Sequence, residues 1–212
     1  MGRDAVVTLA IVACGPQLEV ALRRREGEVA SVVRLAGGSP RSTLLLAAAD
    51  LLLEDAGVEP GSIGRVVISR GPGSFTGIRS GIATADGLAA ATGAEVVAYD
   101  SLLVQAARCA PVPRVWTAQP GRRGEVYARP FAVSVGRAPE ALDELEILAV
   151  DAVADRGPWI APDALDLGGA LRVTAARSAA EALLALVEWG AEPQAAAPLY
   201  VEGPPIHGGS AA

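Results

Sequence analysis

The residues best placed to do chemistry lie in one run, Ile68-Ser69-Arg70-Gly71-Pro72-Gly73-Ser74-Phe75-Thr76-Gly77-Ile78-Arg79-Ser80-Gly81. A Gly-Pro-Gly turn needs backbone freedom that glycine supplies at little cost. Ser74 or Thr76 can then cap a following helix. A strand-to-helix junction of this kind points N–H groups outward and can hold an anion. Arg79, in the first turn after the loop, could meet a phosphate or pair with Asp86, seven residues on and on roughly the same side. A purely structural turn is the plainer alternative.

Other chemistries are poorly supplied. All 18 basic residues are arginine, so Schiff-base and phosphate chemistry based on lysine is excluded. The single histidine, His207, stands in a Gly/Pro-rich tail and serves no Ser-His-Asp triad. Cys14 and Cys109 form no CxxC pair, and no metal site is expected. Both thiols are expected to be reduced and buried. Ile11-Val12-Ala13-Cys14 has the look of a lipoprotein cleavage site. However, Asp4 offsets Arg3, and the apolar run from Ala5 to Ala13 is far too short to span a bilayer.

The elements that must position the run can be read along the chain. Its 212 residues are 51% hydrophobic and 20% charged, enough for one large core or two lobes. A net charge of −6 argues against a main docking surface for a polyanion such as tRNA. Strands are expected over Val6–Val12, Glu19–Arg24 and Glu28–Leu35, with turns at Cys14–Gln17 and Glu26-Gly27. A helix follows over Arg41–Ala56, begun at Ser39-Pro40 and stopped by Gly57. Then come a strand at Val66–Ser69, the loop, a helix over Thr76–Ala91 closed by Gly93, and a strand at Glu95–Tyr99. The second half reads as a helix at Ser101–Ala110, then strands at Val112–Ala118 and Glu125–Val135 joined at Gly121–Gly124. Short strands at Glu146–Val150, Trp159–Ala161 and Leu171–Val173 follow, and a last helix covers Ala179–Trp189.

Two helices carry more apolar or small surface than one core requires. In the first, Leu44, Leu45, Leu46, Leu51, Leu52 and Leu53 spread over more than half of the circumference, against a stripe a little over about 100° wide for a surface helix. Either the helix is wedged deep in its own domain or something covers the excess. In the second, Ile78, Ile82, Ala85 and Ala89 suit a core. Gly77, Gly81, Thr84 and Leu88 form another face, with Ser80 and Gly87 beside it. Interior glycines cost roughly 1 kcal/mol each relative to alanine, and close approach of another backbone is the usual compensation. That backbone could belong to the first helix, to a second copy or to another protein.

Taken together, Gly71-Pro72-Gly73-Ser74-Phe75-Thr76-Gly77-Ile78-Arg79-x-Gly81 with Ala85-x-Gly87-Leu88-Ala89 resembles the signature of the bacterial TsaB (YeaZ-type) family. The resemblance runs from about Leu44 to Leu103. It resumes at Gly121-Arg122-Arg123-Gly124-Glu125-Val126-Tyr127 and at Pro198-Leu199-Tyr200-Val201. It implies an actin/hexokinase/Hsp70-like (ASKHA, ribonuclease-H-like) α/β fold with two lobes of mixed sheets flanked by helices. Residues 1–98 would form the first lobe, 99–205 a smaller second lobe, and 206–212 a disordered tail. It also implies a non-catalytic, cytoplasmic subunit in threonylcarbamoyladenosine synthesis on tRNA, at the adenine beside the anticodon.

By that resemblance the partner is a TsaD-like catalytic subunit, bound through Leu44, Leu45, Leu51, Leu52, Gly77, Gly81, Thr84 and Leu88. A TsaE-like ATPase joins the pair, the isolated chain can self-associate as a dimer, and tRNA is met only through the complex. Three departures stand out. Ala13-Cys14-Gly15 replaces an Asp-Thr-Ser, Gln119-Pro120 stands near a missing hairpin aspartate, and Glu202 replaces an arginine. With no carboxylate in the first hairpin, the chain alone is expected to bind no nucleotide, leaving ATP/ADP and magnesium to the complex. A small ATP-dependent kinase or acyltransferase of the same superfold is the alternative.

Overall fold

A computed structural model describes residues 6–36 and 41–201. The expected tail at 206–212, His207, Glu202 and the helix start at Ser39-Pro40 lie outside them. The apolar, β-branched run Val7–Val12 is β1, and the bend after it leads into β2 (Leu18–Arg23) and β3 (Ser31–Leu35). β3 begins later than Glu28 because its ladder with β2 starts at the Leu22–Ser31 pair. Then follow α1 (Arg41–Ala56), β4 (Ile63–Ser69), α2 (Phe75–Thr92) and β5 (Glu95–Tyr99). The sheet order is β3-β2-β1-β4-β5. β1 to β3 run antiparallel, and β4 and β5 run parallel to β1. The central strands are apolar on both faces, as a sheet covered on both sides requires.

The second half holds α3 (Ser101–Ala107), β6 (Val112–Pro120), β7 (Glu125–Val133), β8 (Glu140–Ala141), β9 (Glu146–Ala149), β10 (Trp159–Ile160) and α4 (Ala179–Glu188). Its sheet runs β10-β6-β7-β8, with β9 also on β7. This is the expected α/β fold of two mixed sheets flanked by helices. α3 stops short of Ala110, since Pro111 disfavours helix just before it. The strand expected at Leu171–Val173 amounts to one bridge, Trp159 to Arg172, because β10 is only two residues long. On one face of this sheet Trp116 and Trp159 stack at 5.3 Å over Val126, Leu148 and Val153. On the other, Phe131 and Ile160 meet Leu102 and Ala106 of α3.

The packing of the core does not follow the division into two sheets. Ala180, Leu183, Leu184 and Leu186 of α4 are buried in one cluster with Leu9, Ile11, Val66 and Ile68 of the first sheet. Along β2 the side chains alternate between faces. Glu19 and Arg23 reach α4, through the amides of Ala179 and Ala180 and through the carbonyl of Leu184. Leu18, Val20 and Leu22 therefore point to the opposite face, where α1 and α2 lie.

Both cysteines are buried. Burial pushes the Cys109 thiol up to about 11, while the nearby Arg108 guanidinium pulls the other way. In the unfolded chain the thiol ionises near 9, so above that pH the unfolded state loses a proton that the folded state keeps. Stability is then present below about pH 9 and falls as pH rises towards about 11, by about 1–3 kcal/mol. Urea midpoints measured from pH 8 to 11 should fall, and Cys109→Ala should flatten that dependence. A Cys109→Ala profile parallel to the original would place the loss elsewhere.

Candidate functional site

The signature run is the strand-to-helix junction between β4 and α2. Ser74 is the N-cap, its hydroxyl accepting from the Gly77 amide at 3.2 Å. At the far end Gly93 closes α2 in the left-handed region. The loop is held by its neighbours on three sides. Arg70 N–H donates to Tyr99 O at 3.0 Å, and the Arg70 side chain pairs with Asp100 at 2.6 Å. Ser101 donates its amide to Gly71 O at 2.7 Å and its hydroxyl to Pro72 O. From the first hairpin, Cys14 O accepts from Ser74 N–H at 2.8 Å.

That hairpin sits directly on the loop, and this is what two of the glycines serve. A Cβ on Gly73, where φ is 148°, would lie 2.4 Å from Cys14 O. One on Gly77 would lie 2.0 Å from Ala13 O. The approaching backbone is therefore the chain's own β1–β2 turn, at Ala13-Cys14. Cys14, set 3.0 Å from the Ser69 hydroxyl, is part of the same contact and lies inside the fold.

The run Pro198-Leu199-Tyr200-Val201 arrives at the same place. Leu199 N–H donates to Arg70 O at 2.9 Å. The Tyr200 ring stacks on Phe75 at 5.2 Å, and its hydroxyl accepts from Arg79 Nε at 3.0 Å. The Arg79 guanidinium also lies 4.0 Å over the Phe75 ring. Arg79 is thus engaged by the Phe75 ring and the Tyr200 hydroxyl, where the sequence offered a phosphate or Asp86. Thr76 is exposed beside Phe75 and does not cap the helix.

The partner-binding set divides. Leu45 is 0% exposed and Leu52 is 3% exposed, so both are core residues; the helix is partly wedged into its own domain. Gly77 is buried against the hairpin, and Gly81 is buried over β1, its would-be Cβ 3.6 Å from Ala13 Cβ. Gly81 therefore faces the chain's own sheet, and a larger residue there would overpack the core. What stays outside is Leu46, 53% exposed, and Leu51, 55% exposed. These two sit about 140° apart around the helix, with Asp50 and Glu54 between them. Leu46 joins Ser80, Ala83, Thr84, Gly87 and Leu88 of α2 in an open groove of about 490 Å³. Leu44 is half-buried at the other edge of α1. Leu46 was legible as one of six leucines, but periodicity alone does not say which of them a neighbouring helix leaves uncovered.

A second feature lies in the cleft between the sheets. Gln17, Glu19, Gln105, Arg108, Gln119 and Asp163 line a space of about 30 Å³. That is room for a water or two, and well below the several hundred Å³ of ordinary ligand pockets. Burial pulls Arg108 below its usual range, while Glu19 and Asp163 pull it back up. Gln119 Oε1 is buried there without a protein partner. No sequence motif marked these residues, since they come from β2, α3, β6 and the loops beside them, far apart in the chain. Among the described residues no group of three or more His, Cys, Asp and Glu is placed to hold a metal. Nor is any described helix long and apolar enough to cross a membrane.

Three comparisons bear on this geometry. The family model for TsaD, tRNA N6-adenosine threonylcarbamoyltransferase, matches residues 41–163, more than half of the chain. The Bacillus subtilis (strain 168) tRNA threonylcarbamoyladenosine biosynthesis protein TsaB is 26% identical over 147 residues. That alignment covers 68% of this chain and 62% of the relative, so less than two thirds of that protein is spanned. YeaZ from Pseudomonas aeruginosa superposes with a TM-score of 0.74 at 25% identity, over 92% of this chain and all of that one. A second Pseudomonas aeruginosa structure, described as uncharacterized with similarity to peptidase YEAZ, gives a TM-score of 0.73 at 26% identity over 93% of this chain. With the matched residues taking in α1, the signature loop, α2 and most of the second sheet, the chain belongs to the TsaD family and, within it, to the TsaB (YeaZ) type.

Proposed function

We propose that this chain is a non-catalytic subunit in the synthesis of threonylcarbamoyladenosine on tRNA, and that it holds a TsaD-like catalytic subunit in the groove between α1 and α2. The observation that carries the reading is the groove itself. Leu46 and the α2 residues Ala83, Gly87 and Leu88 line an uncovered apolar trough, while the leucines that could have filled the core already do so. The name of the Bacillus subtilis relative supports the pathway. The chain acts by binding one state of its partner better than the others. A TsaE-like ATPase joins the pair, tRNA is reached only through the complex, and all of this takes place in the cytoplasm. Without its partner, a second copy occupies the same groove.

The loop supports a scaffold role. Its glycines admit the first hairpin's carbonyls, and those carbonyls are poor company for phosphate oxygens. On this reading the isolated chain takes up no nucleotide, and ATP or ADP with magnesium enters only in the complex. Two measurements test the proposal. The tagged chain, expressed in its own cell, should co-purify with a TsaD-like subunit at fixed stoichiometry. Calorimetric titration of the isolated chain with Mg-ATP should give no one-to-one binding. Micromolar binding of Mg-ATP, or purification without any such subunit, would favour a small kinase or acyltransferase instead.

A further inference from the structure

We propose that Glu19 is a built-in anion that latches the last helix onto the first sheet and closes the cleft between the two sheets from within. Glu19 is the second residue of β2, between Leu18 and Val20, and it is only 5% exposed. A carboxylate buried so deeply is costly unless it is paired and hydrogen-bonded. Glu19 has both kinds of partner. Its Oε2 accepts from the amides of Ala179 at 2.6 Å and Ala180 at 3.0 Å, the first two residues of α4. Its Oε1 meets Arg34 Nε of β3 at 3.1 Å.

The start of α4 shows how specific this is. A helix leaves its first four N–H groups without intrahelical partners. Here Ser178 N–H donates to Glu181 Oε2, and Glu181 N–H donates to Ser178 Oγ, a reciprocal capping box. The remaining two, on Ala179 and Ala180, go to Glu19. The positive end of a helix facing a cleft is a seat for an oxyanion. In this chain the seat is filled by a side chain 160 residues earlier. It marks the point where the backbone returns from the second sheet to the first. Arg108, itself buried, lines the same cleft and senses the Glu19 charge. The start of α4 is therefore fixed to the first sheet, at the edge of the cleft, by the chain's own carboxylate. The inference stands apart from the partner reading, because its test uses the isolated chain.

The experiment compares Glu19→Ala, Glu19→Gln and the unchanged protein in formate and in chloride at equal ionic strength, reading the unfolding temperature. Glu19→Ala should unfold about 5–15 °C lower in chloride. Formate, which fits the vacated seat, should restore much of that loss with a saturable dose dependence. Glu19→Gln keeps an acceptor oxygen in place, so it should lose less and show no response specific to formate, as should the unchanged protein. If Glu19→Ala does not fold in chloride, refolding from urea with and without formate reads the same question. Glu19→Ala unfolding within 2 °C of the unchanged protein (about the effect of a surface substitution) would overturn the proposal. So would formate and chloride acting alike on it. Hydrogen exchange on the unchanged protein decides independently of any variant. The Ala179 and Ala180 amides should exchange as slowly as the interior of α4, and exchange at the rate of exposed amides would exclude the latch.

Discussion

Replacing Gly77 by alanine is expected to lower the unfolding temperature by about 6–12 °C, or to prevent the protein from accumulating at all. On helix propensity alone the same change should stabilise, by roughly 1 kcal/mol. The sign is reversed because the new Cβ would stand 2.0 Å from Ala13 O, a backbone atom of the first hairpin. Nothing flexible can yield there. Ala13 and Cys14 are held in the buried end of the hairpin, and Ser74 N–H is bonded to Cys14 O. Either the hairpin lifts off the loop or the first turn of α2 opens. Overpacking costs about 1–3 kcal/mol where side chains can shift, and about 3 kcal/mol or more where backbone must move. Gly87 is the internal control. It lies in the same helix with nothing within 4 Å of its would-be Cβ. Gly87→Ala should therefore stabilise by about 0.5–1 kcal/mol. Thermal unfolding of the two variants side by side is the measurement. A Gly77→Ala protein as stable as Gly87→Ala would mean that the hairpin does not rest on the loop.

The second large effect concerns binding. Leu46→Glu combined with Ala83→Glu should weaken association with the TsaD-like subunit by at least about 100-fold, because carboxylates would be buried unpaired in the middle of an apolar contact. Folding should barely change, since Leu46 and Ala83 are exposed and surface substitutions stay within about 0.5 kcal/mol. Leu51→Glu, on the far side of the polar arc, should have a much smaller effect on that association. Leu45→Ala, one position away from Leu46, should do the reverse of the groove variants. Leu45 is fully buried, so truncation costs about 2–5 kcal/mol of stability and leaves the groove intact in the molecules that remain folded. Calorimetry of binding and of unfolding on the same four proteins separates the cases. A groove variant that binds as tightly as the unchanged chain removes this surface from the proposal.

The sequence was most legible where local chemistry and tertiary packing agree. Arg41–Ala56 came out as a helix with the observed bounds, and α2 differs by one residue at each end, because its capping serine and closing glycine are local signals. The glycine loop was legible as a turn, but not what pressed against it. Gly77 and Gly81 announce a close backbone without naming it, and the neighbour proved to be β1 and its hairpin, more than sixty residues earlier. Arg79 shows the same limit. Asp86 is the partner that sequence distance offers, and Tyr200 is the one that the fold supplies. Glu19 was invisible for a different reason. A lone acid in an apolar strand reads as an exposed edge, and its meaning depends on a helix that begins at Ala179.

The burial of α4 in the first sheet's cluster has a consequence for how the protein is made. When β5 leaves the ribosome, five strands and two helices are present, yet the sheet face that α4 will cover is bare. At about 5–20 residues per second, the roughly ninety residues up to the end of α4 take about 5–20 s more to emerge. During that interval the nascent chain carries an open apolar face and a Glu19 carboxylate that has Arg34 but not yet the amides of α4, a species prone to aggregate or to recruit chaperones. A fragment ending near residue 98 would hold that state permanently. The first sheet is thus a unit of architecture but not of folding, and its packing is completed only when the chain has travelled through the second sheet and back.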